Sequence, residues 1–289
     1  MKRNIRPTIS ARFLDSGRSS VKTKKLKNYV RRATLFCVFI SISFLTMSQT
    51  NNERGHTNAV DSSFDLYLLI GQSNMSGRGV ITGKFKEEGN PNVFMRTKEN
   101  TWAPAKNPLH FDKPSIAGVG PGLSFGIAMG KAKPSHKTGL IPCAVGGTSI
   151  DVWKPGAFDK ATNTHPYDDM LLRLQEALKS GALKGILWLQ GESDSSPEKA
   201  PTYLKKLEKL IHEIRTVAGN SKVPFVAGQL GRYKTQYQNI NDVLKILPSG
   251  IAYTAVASSK GLTDKGDKTH FNSESQEKMG KRMAKKMKD

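Results

Sequence analysis

The sequence predicts an α/β protein, a mainly parallel sheet of five strands held between two layers of helices. Two patterns carry that expectation. Short, near-continuous apolar stretches bounded by Gly, Pro or polar residues recur at 64–70, 139–145, 185–190, 223–227 and 251–256, and apolarity that is continuous rather than alternating means a strand buried on both faces. Between them run amphipathic helical patterns. Residues 201–219 place Tyr203, Leu204, Leu207, Leu210, Ile211, Ile214 and Val217 on one stripe, with lysines and glutamates elsewhere. Residues 167–179 repeat the spacing through Met170, Leu171, Leu174 and Leu178 and stop at Gly181. A last helix opens with Ser273 and Gln276 at capping-box spacing and continues through Met279, Met283 and Met287. Strand and helix alternate as in a three-layer α/β/α sandwich, with one domain over 64–289 and no internal repeat. Residues 80–121, rich in Gly, Pro, Asn and Lys, show no period and read as a long excursion between the first two strands.

The chain of 289 residues carries a formal net charge of +21, which raises the question of a nucleic-acid partner. The distribution argues against one. Eleven Lys or Arg against the single acid Asp15 fall within the first 32 residues, so much of the excess belongs to a tail. That tail enters an apolar run of 15 residues, Ala33 to Met47, followed by a polar linker over 49–63. The run fits the apolar region of a signal peptide, about 7 to 15 residues long, better than a membrane-spanning helix of about 20. Residues 1–48 are therefore expected to direct export, with a membrane anchor at 33–47 as the alternative and no further membrane domain. The basic stretch Lys281 to Lys288 reads as the solvated end of a helix.

Cys37 lies in the apolar run and Cys143 in the apolar stretch LIPCAV, so a processed chain keeps one cysteine and no intramolecular disulfide. Cys143 reads as a small buried hydrophobe. No CxxC or HExxH spacing occurs, and His212-Glu213 lacks a second histidine. Neither a metal nor a nucleotide cofactor is expected.

In open α/β sheets the functional crevice lies at the carboxyl ends of the strands. The first predicted strand ends in Gly71-Gln72-Ser73-Asn74-Met75, the second in Gly146-Gly147-Thr148-Ser149-Ile150 and the third in Gln190-Gly191-Glu192-Ser193-Asp194. Asp267-Lys268-Thr269-His270 precedes the final helix. A serine hydroxyl becomes a nucleophile when a histidine takes its proton, a carboxylate orients that histidine, and donors await the developing oxyanion. Ser73 stands where a strand turns into a helix or loop, Gly147 can offer an unobstructed backbone N–H, and Gln190 can offer a side-chain amide. Among six histidines, His56 lies in the linker, His110 and His136 in polar loop segments, His212 off its helix's apolar stripe, and His165 ahead of a helix without a supporting pattern. His270 alone has a carboxylate three residues earlier, Asp267, in an Asp-x-x-His turn that can place it on one imidazole nitrogen while the other faces a serine. Singly, each motif has a plainer reading as a polar turn, a glycine pair or a helix cap. All four at strand ends, in this order, do not.

The set GQSNM, GGTSI, WLQGESD and DKTHF resembles the SGNH hydrolase superfamily, and within it the sialate O-acetylesterase-like group that includes carbohydrate esterase family 6. The resemblance runs from Phe64 to the carboxyl terminus. It implies a flavodoxin-like fold and hydrolysis of acetyl esters on sugars or polysaccharides, with Ser73 as nucleophile, His270 as base and Asp267 as the orienting acid. It further implies oxyanion donors at the N–H groups of Ser73 and Gly147 and at the Gln190 side chain, which stands where other members use asparagine. Gln72, Asn74 and Glu192 would support these groups from behind, Glu192 bracing the loop rather than serving as the acid. The partner expected is an acetylated carbohydrate. An esterase acting on lipids or other acyl esters is the first alternative, disfavoured by the polar flanks at Arg78, Asn107, Thr148 and Asp151. A non-catalytic carbohydrate-binding protein is the second, disfavoured by an intact Ser73 and His270. The excursion over 80–121 is expected to set the choice of leaving alcohol.

Overall fold

Strand β1 (Phe64–Gly71) runs through the middle of the sheet with every residue buried. The computed structural model describes residues 64–289, and the basic tail, the apolar run at 33–47 and the linker lie outside the described residues. Further along the chain come β2 (Val93–Arg96), β3 (Trp102–Pro104), β4 (Lys137–Pro142), β5 (Gly181–Leu189), β6 (Phe225–Gly228) and β7 (Thr254–Ala257). Their spatial order is β3-β2-β4-β1-β5-β6-β7, parallel throughout except that β3 pairs antiparallel to β2. The mainly parallel α/β class is as expected, but the sheet has seven strands and not five. The two additional strands lie inside the excursion over 80–121. They escape sequence reading because they are short and sit towards one edge: β3 has one neighbour and exposed positions and ends on Pro104, so no continuous apolar run marks it.

The helices are α1 (Ser73–Ser76), α2 (Lys84–Glu87), α3 (Pro121–Ala132), α4 (Pro166–Leu178), α5 (Ala200–Val217), α6 (Tyr237–Gly250) and α7 (Ser273–Lys288). On one face Leu66, Leu68 and Ile70 of β1 pack with residues of α4, α5 and α6, among them Leu174, Leu207, Ile214 and Leu244. On the other face Tyr67 and Leu69 pack with Phe125 of α3 and Met279 and Met283 of α7. The period of two along β1 thus sends alternate side chains into two cores, which is why its sequence reads as uniformly apolar. The start of α7 differs from the expected capping box. Asn272 caps it, its side chain accepting the Ser275 N–H at 2.9 Å, while Ser273 Oγ donates to the Val80 carbonyl at 2.7 Å.

From β1 the chain moves to one side for β2, β3 and β4, then crosses to the other side for β5, β6 and β7. The reversal leaves a crevice at the carboxyl ends of β1, β4 and β5, the general location of ligand sites in such sheets. At its base Gly71 has φ +132, and a Cβ there would overlap the Leu189 carbonyl oxygen of β5. Only glycine allows β1 to leave the sheet at this point. Gly71→Ala is expected to lower the free energy of unfolding by about 2–4 kcal/mol in urea titration, from the backbone conformation and the overlap together. A change within about 0.5 kcal/mol of the parent, the range of neutral surface changes, would show that this strand end relaxes freely.

Candidate active site

Ser73 begins α1 two residues after β1 ends. Its Oγ lies 3.0 Å from His270 Nε2, and His270 Nδ1 lies 2.7 Å from Asp267 Oδ2. The other oxygen of Asp267 accepts the N–H groups of His270 at 2.8 Å and Thr269 at 2.9 Å, so the turn between β7 and α7 folds around the carboxylate. Desolvation pushes the Asp267 carboxyl up, but the His270 N–H, the His270 ring and the Thr269 N–H outweigh it and hold the pKa down at about 2. Asp267 is an anion at any physiological pH. With the carboxylate on Nδ1, the imidazole turns Nε2 towards the serine hydroxyl, an arrangement that can pass the hydroxyl proton to the ring.

Asn74, fully buried, ties this turn to α1. Its amide donates to Glu192 Oε1 at 2.5 Å and to the Thr269 carbonyl at 3.0 Å, and its oxygen accepts the Phe271 N–H at 3.0 Å. Glu192 lies in a 3-10 turn after β5 (Glu192–Asp194) and lines the crevice, where its Oε2 is enclosed without a partner. Burial raises its pKa above the ordinary glutamate value of 4.5, against the opposing bond from Asn74.

The turn after β4 supplies the facing wall. Gly147 has φ +93 and lines the crevice with Ser73. Among the described residues the N–H groups of Ser73 and Gly147 take no backbone acceptor. The preceding Gly146 N–H is held by Asp112 Oδ2 at 2.8 Å, and the same oxygen pairs with Arg78 Nη2 at 2.8 Å. Arg78 Nη1 also donates to the Ser76 hydroxyl and the Gly77 carbonyl, so the pair bridges α1 and the β4 turn. Burial pushes the Asp112 carboxyl up, but Arg78 and the Gly146 N–H outweigh it and hold it below the usual value.

Gln190 departs from its expected role. It is fully buried outside the crevice, its amide nitrogen within bonding distance of Asp194 Oδ2 at 2.5 Å, the Thr148 carbonyl at 3.0 Å and Gln72 Oε1 at 3.2 Å. Its oxygen accepts the Tyr203 hydroxyl at 2.8 Å. A primary amide has two N–H groups, and the neighbours here occupy both. Gln190 therefore joins the β4 and β5 turns instead of facing the serine, while Gln72, anchored by it, does line the crevice.

Of the residues singled out by the sequence, Ser73, His270, Gly147, Gln72 and Glu192 line a single crevice, and Asp267 stands behind His270. The sequence assigned no role to Asp112, Asp194 or Tyr203. Asp194 accepts the Ser149 hydroxyl and the Ile150 N–H and so fixes the β4 turn. These contacts span tens of residues, and no local pattern announces them. His110, read as a loop residue, is 4% exposed. Cys143 is buried, its thiol pushed up to about 11 by burial. Among the described residues, no cluster of three His, Cys, Asp or Glu side chains is arranged to hold a metal ion.

The raised pKa of Glu192 has a measurable sign. The unfolded carboxyl loses its proton near its ordinary value while the folded one retains it longer, so rising pH through and above about 4.5 favours the unfolded state. Glu192→Gln can still accept from Asn74 and has no proton to lose. The stability of the variant relative to the parent is expected to rise with pH above that point, and pH-dependent urea unfolding checks it. Parallel curves would show that Glu192 ionises without cost.

Comparison with known proteins agrees with this architecture. A family model described as carbohydrate esterase, sialic acid-specific acetylesterase, matches residues 63–289. A probable carbohydrate esterase of Arabidopsis thaliana is 30% identical over 244 residues, covering 76% of this chain and 88% of that protein. The crystal structure of that plant protein superposes with a TM-score of 0.70 at 28% identity, over 78% of this chain and 98% of its own. A carbohydrate acetylesterase from Xanthomonas citri shares the fold with a TM-score of 0.60 at 19% identity, over 76% of this chain and 55% of its own. With the match running through the whole described region, the chain belongs to the sialic acid-specific acetylesterase family of carbohydrate esterases.

Proposed function

We propose that this protein is a serine esterase that removes O-acetyl groups from a sugar or polysaccharide, with Ser73 as nucleophile, His270 as general base and Asp267 as the residue that orients it. The observation that carries the reading is the continuous chain of contacts from Ser73 Oγ through His270 to Asp267, at 3.0 and 2.7 Å. Ser73 attacks the acetyl carbonyl as His270 Nε2 takes its proton. The N–H groups of Ser73 and Gly147 receive the developing oxyanion, each donor being worth roughly two to three powers of ten in rate. The bond to the sugar oxygen then breaks and the alcohol leaves with the proton from His270. Water repeats the sequence on the acetyl-enzyme, releasing acetate and restoring Ser73. Asp267 stays ionised throughout and offsets the charge of the imidazolium.

A short acyl group suits the crevice, whose lining is polar or glycine apart from Ile116. Longer acyl chains would call for an apolar channel. The basic tail and the 15-residue apolar run support export of the chain, either with cleavage near Ser48 or with residues 33–47 retained as an anchor. The carboxyl-terminal lysines then meet solvent or an acidic glycan rather than nucleic acid.

Acetate release from p-nitrophenyl acetate and from acetylated polysaccharides tests the reading. Ser73→Ala and His270→Ala should each lower turnover by about a thousandfold or more with the far-UV circular dichroism unchanged. Asp267→Asn should cost less than either, and Glu192→Gln less again. A Glu192→Gln variant as damaged as His270→Ala would transfer the role of the acid to Glu192. No acetate from any substrate would overturn the esterase reading.

A further inference from the structure

A second cavity, of about 610 Å³, opens beside the crevice of Ser73. The two share Lys113, and Val145 in the wall of one is followed directly by Gly146 in the wall of the other. The Lys113 ammonium stands 4.0 Å from where a Cβ on Gly147 would lie, so it borders the turn that faces Ser73. The rest of the cavity is closed by the turn between β2 and β3, the segment 110–113 and one side of α4.

Its charge is unbalanced. Lys98 and Lys113 line it, and among the described residues neither forms an ion pair. Arg173, largely buried, gives its hydrogen bonds to neutral oxygens: the Pro142 carbonyl at 3.2 Å, Asn100 Oδ1 at 3.0 Å and the Arg96 carbonyl at 3.0 Å. The neighbouring Arg96 guanidinium has its pKa lowered by burial and then by the charge of Arg173, a sign of like charges crowded together. Of the two carboxylates in the lining, Asp112 is committed to Arg78 and the Gly146 N–H, and Asp169 accepts the His165 N–H at 3.2 Å. Three cations thus face one carboxylate that has no cationic partner.

His110 forms a neutral part of the same wall. It lines the cavity but is only 4% exposed, with both ring nitrogens closed off from solvent. Burial pushes its pKa down to about 4 against the charge of Asp112 and a bond with the Leu69 backbone, so at neutral pH the ring adds no charge beside the lysines. Apolar surface completes the cavity. Phe111 lies under the Arg173 guanidinium at 4.7 Å, and Leu172 is 63% exposed. A pyranose presents C–H faces that pack on such surface and hydroxyls that reach donors and acceptors such as Asn100 and Thr162.

We propose that this cavity is a second sugar subsite, which takes a unit bearing a carboxylate or sulfate group next to the acetylated unit held at Ser73. The subsite rests on the esterase reading only for what occupies the neighbouring crevice. Its occupant is the charged neighbour of the reacting sugar, so the substrate is an acetylated acidic glycan rather than a neutral one.

Isothermal titration calorimetry on the full chain carrying Ser73→Ala reads the subsite without any turnover. The probes are oligogalacturonate, a sulfated galactan oligosaccharide and a neutral xylo-oligosaccharide of the same length. At least one anionic oligosaccharide should bind about tenfold or more tightly than the neutral one, and raising the salt from 50 to 500 mM should narrow that gap. The tighter of the two anionic probes names the group. Lys98→Glu, at an exposed position, should weaken the anionic probe by about five- to tenfold, leave the neutral probe unaffected, and keep the parent circular dichroism spectrum. Equal affinity for charged and neutral probes, no binding of any probe, or indifference to Lys98→Glu would each overturn the subsite. Selective binding by the Ser73→Ala chain when the parent protein releases no acetate would sink the esterase reading and leave the subsite standing; acetate release by the parent without selective binding by the variant would do the reverse.

Discussion

The carboxamide of Asn74 holds segments of the chain nearly 200 residues apart in one geometry, donating to the Thr269 carbonyl and accepting the Phe271 N–H on either side of His270. Since Asn74 adjoins Ser73 in sequence, these two bonds fix the distance between the hydroxyl and the imidazole more firmly than their own 3.0 Å contact could. An error of 1 Å in such a pair is enough to cost two powers of ten in rate. The residue has to donate and accept at once, which an amide does and an aspartate carboxylate does not. Its third bond, to Glu192, brings the end of β5 into the same unit. A strand end, a helix start and a distant turn are therefore tied together through a single side chain.

The opposite wall is held by charge. Arg78 and Asp112 are both almost inaccessible, and an ion pair so placed contributes little net stability because each group loses its hydration. Its effect is directional. Asp112 accepts the Gly146 N–H and Arg78 donates to the Gly77 carbonyl and the Ser76 hydroxyl, leaving the adjoining Gly147 N–H without a backbone acceptor. Asp194 and Gln190 perform the same task one turn further out. The two walls divide the labour: a neutral amide holds the contact between Ser73 and His270, and buried carboxylates shape the turn opposite.

What could be read from the sequence follows the same division. The central strands and their covering helices show their period because burial on a regular element repeats every two residues or every three to four. Of the stripe, Tyr203, Leu207, Leu210, Ile211 and Ile214 are buried as the spacing requires, with Leu204 and Val217 partly buried at its margin. Ser73, Asp267 and His270 could be located because a strand end and an Asp-x-x-His turn are local signals. The hairpin β2–β3 could not, since an edge strand of three or four residues needs no apolar run. Nor could the pairing of Arg78 with Asp112, which depends on two loops meeting. Gln190 was misplaced for a related reason. A polar side chain leaving a buried strand must be satisfied, and the sequence does not show that Asp194, Thr148 and Gln72 are already there to satisfy it.

The excursion over 80–121 joins these two kinds of information. It supplies Asp112, which braces the β4 turn, and it supplies Lys98, Asn100, His110 and Lys113 around the adjoining cavity. Beyond its two short strands, a segment that braces the crevice at one end and lines a second cavity at the other shows no long period, because its side chains answer to those walls and not to a core. In the proposed arrangement the cations hold the neighbouring sugar while backbone N–H dipoles meet the reacting carbonyl. Lys113 lines both spaces, so the charge that meets the neighbouring unit also stands beside the crevice where acetate, itself an anion, would form. In that arrangement an anionic sugar unit against Lys98 and Lys113 offsets part of that charge, so the cation that recognises the glycan is occupied by it and not by the product.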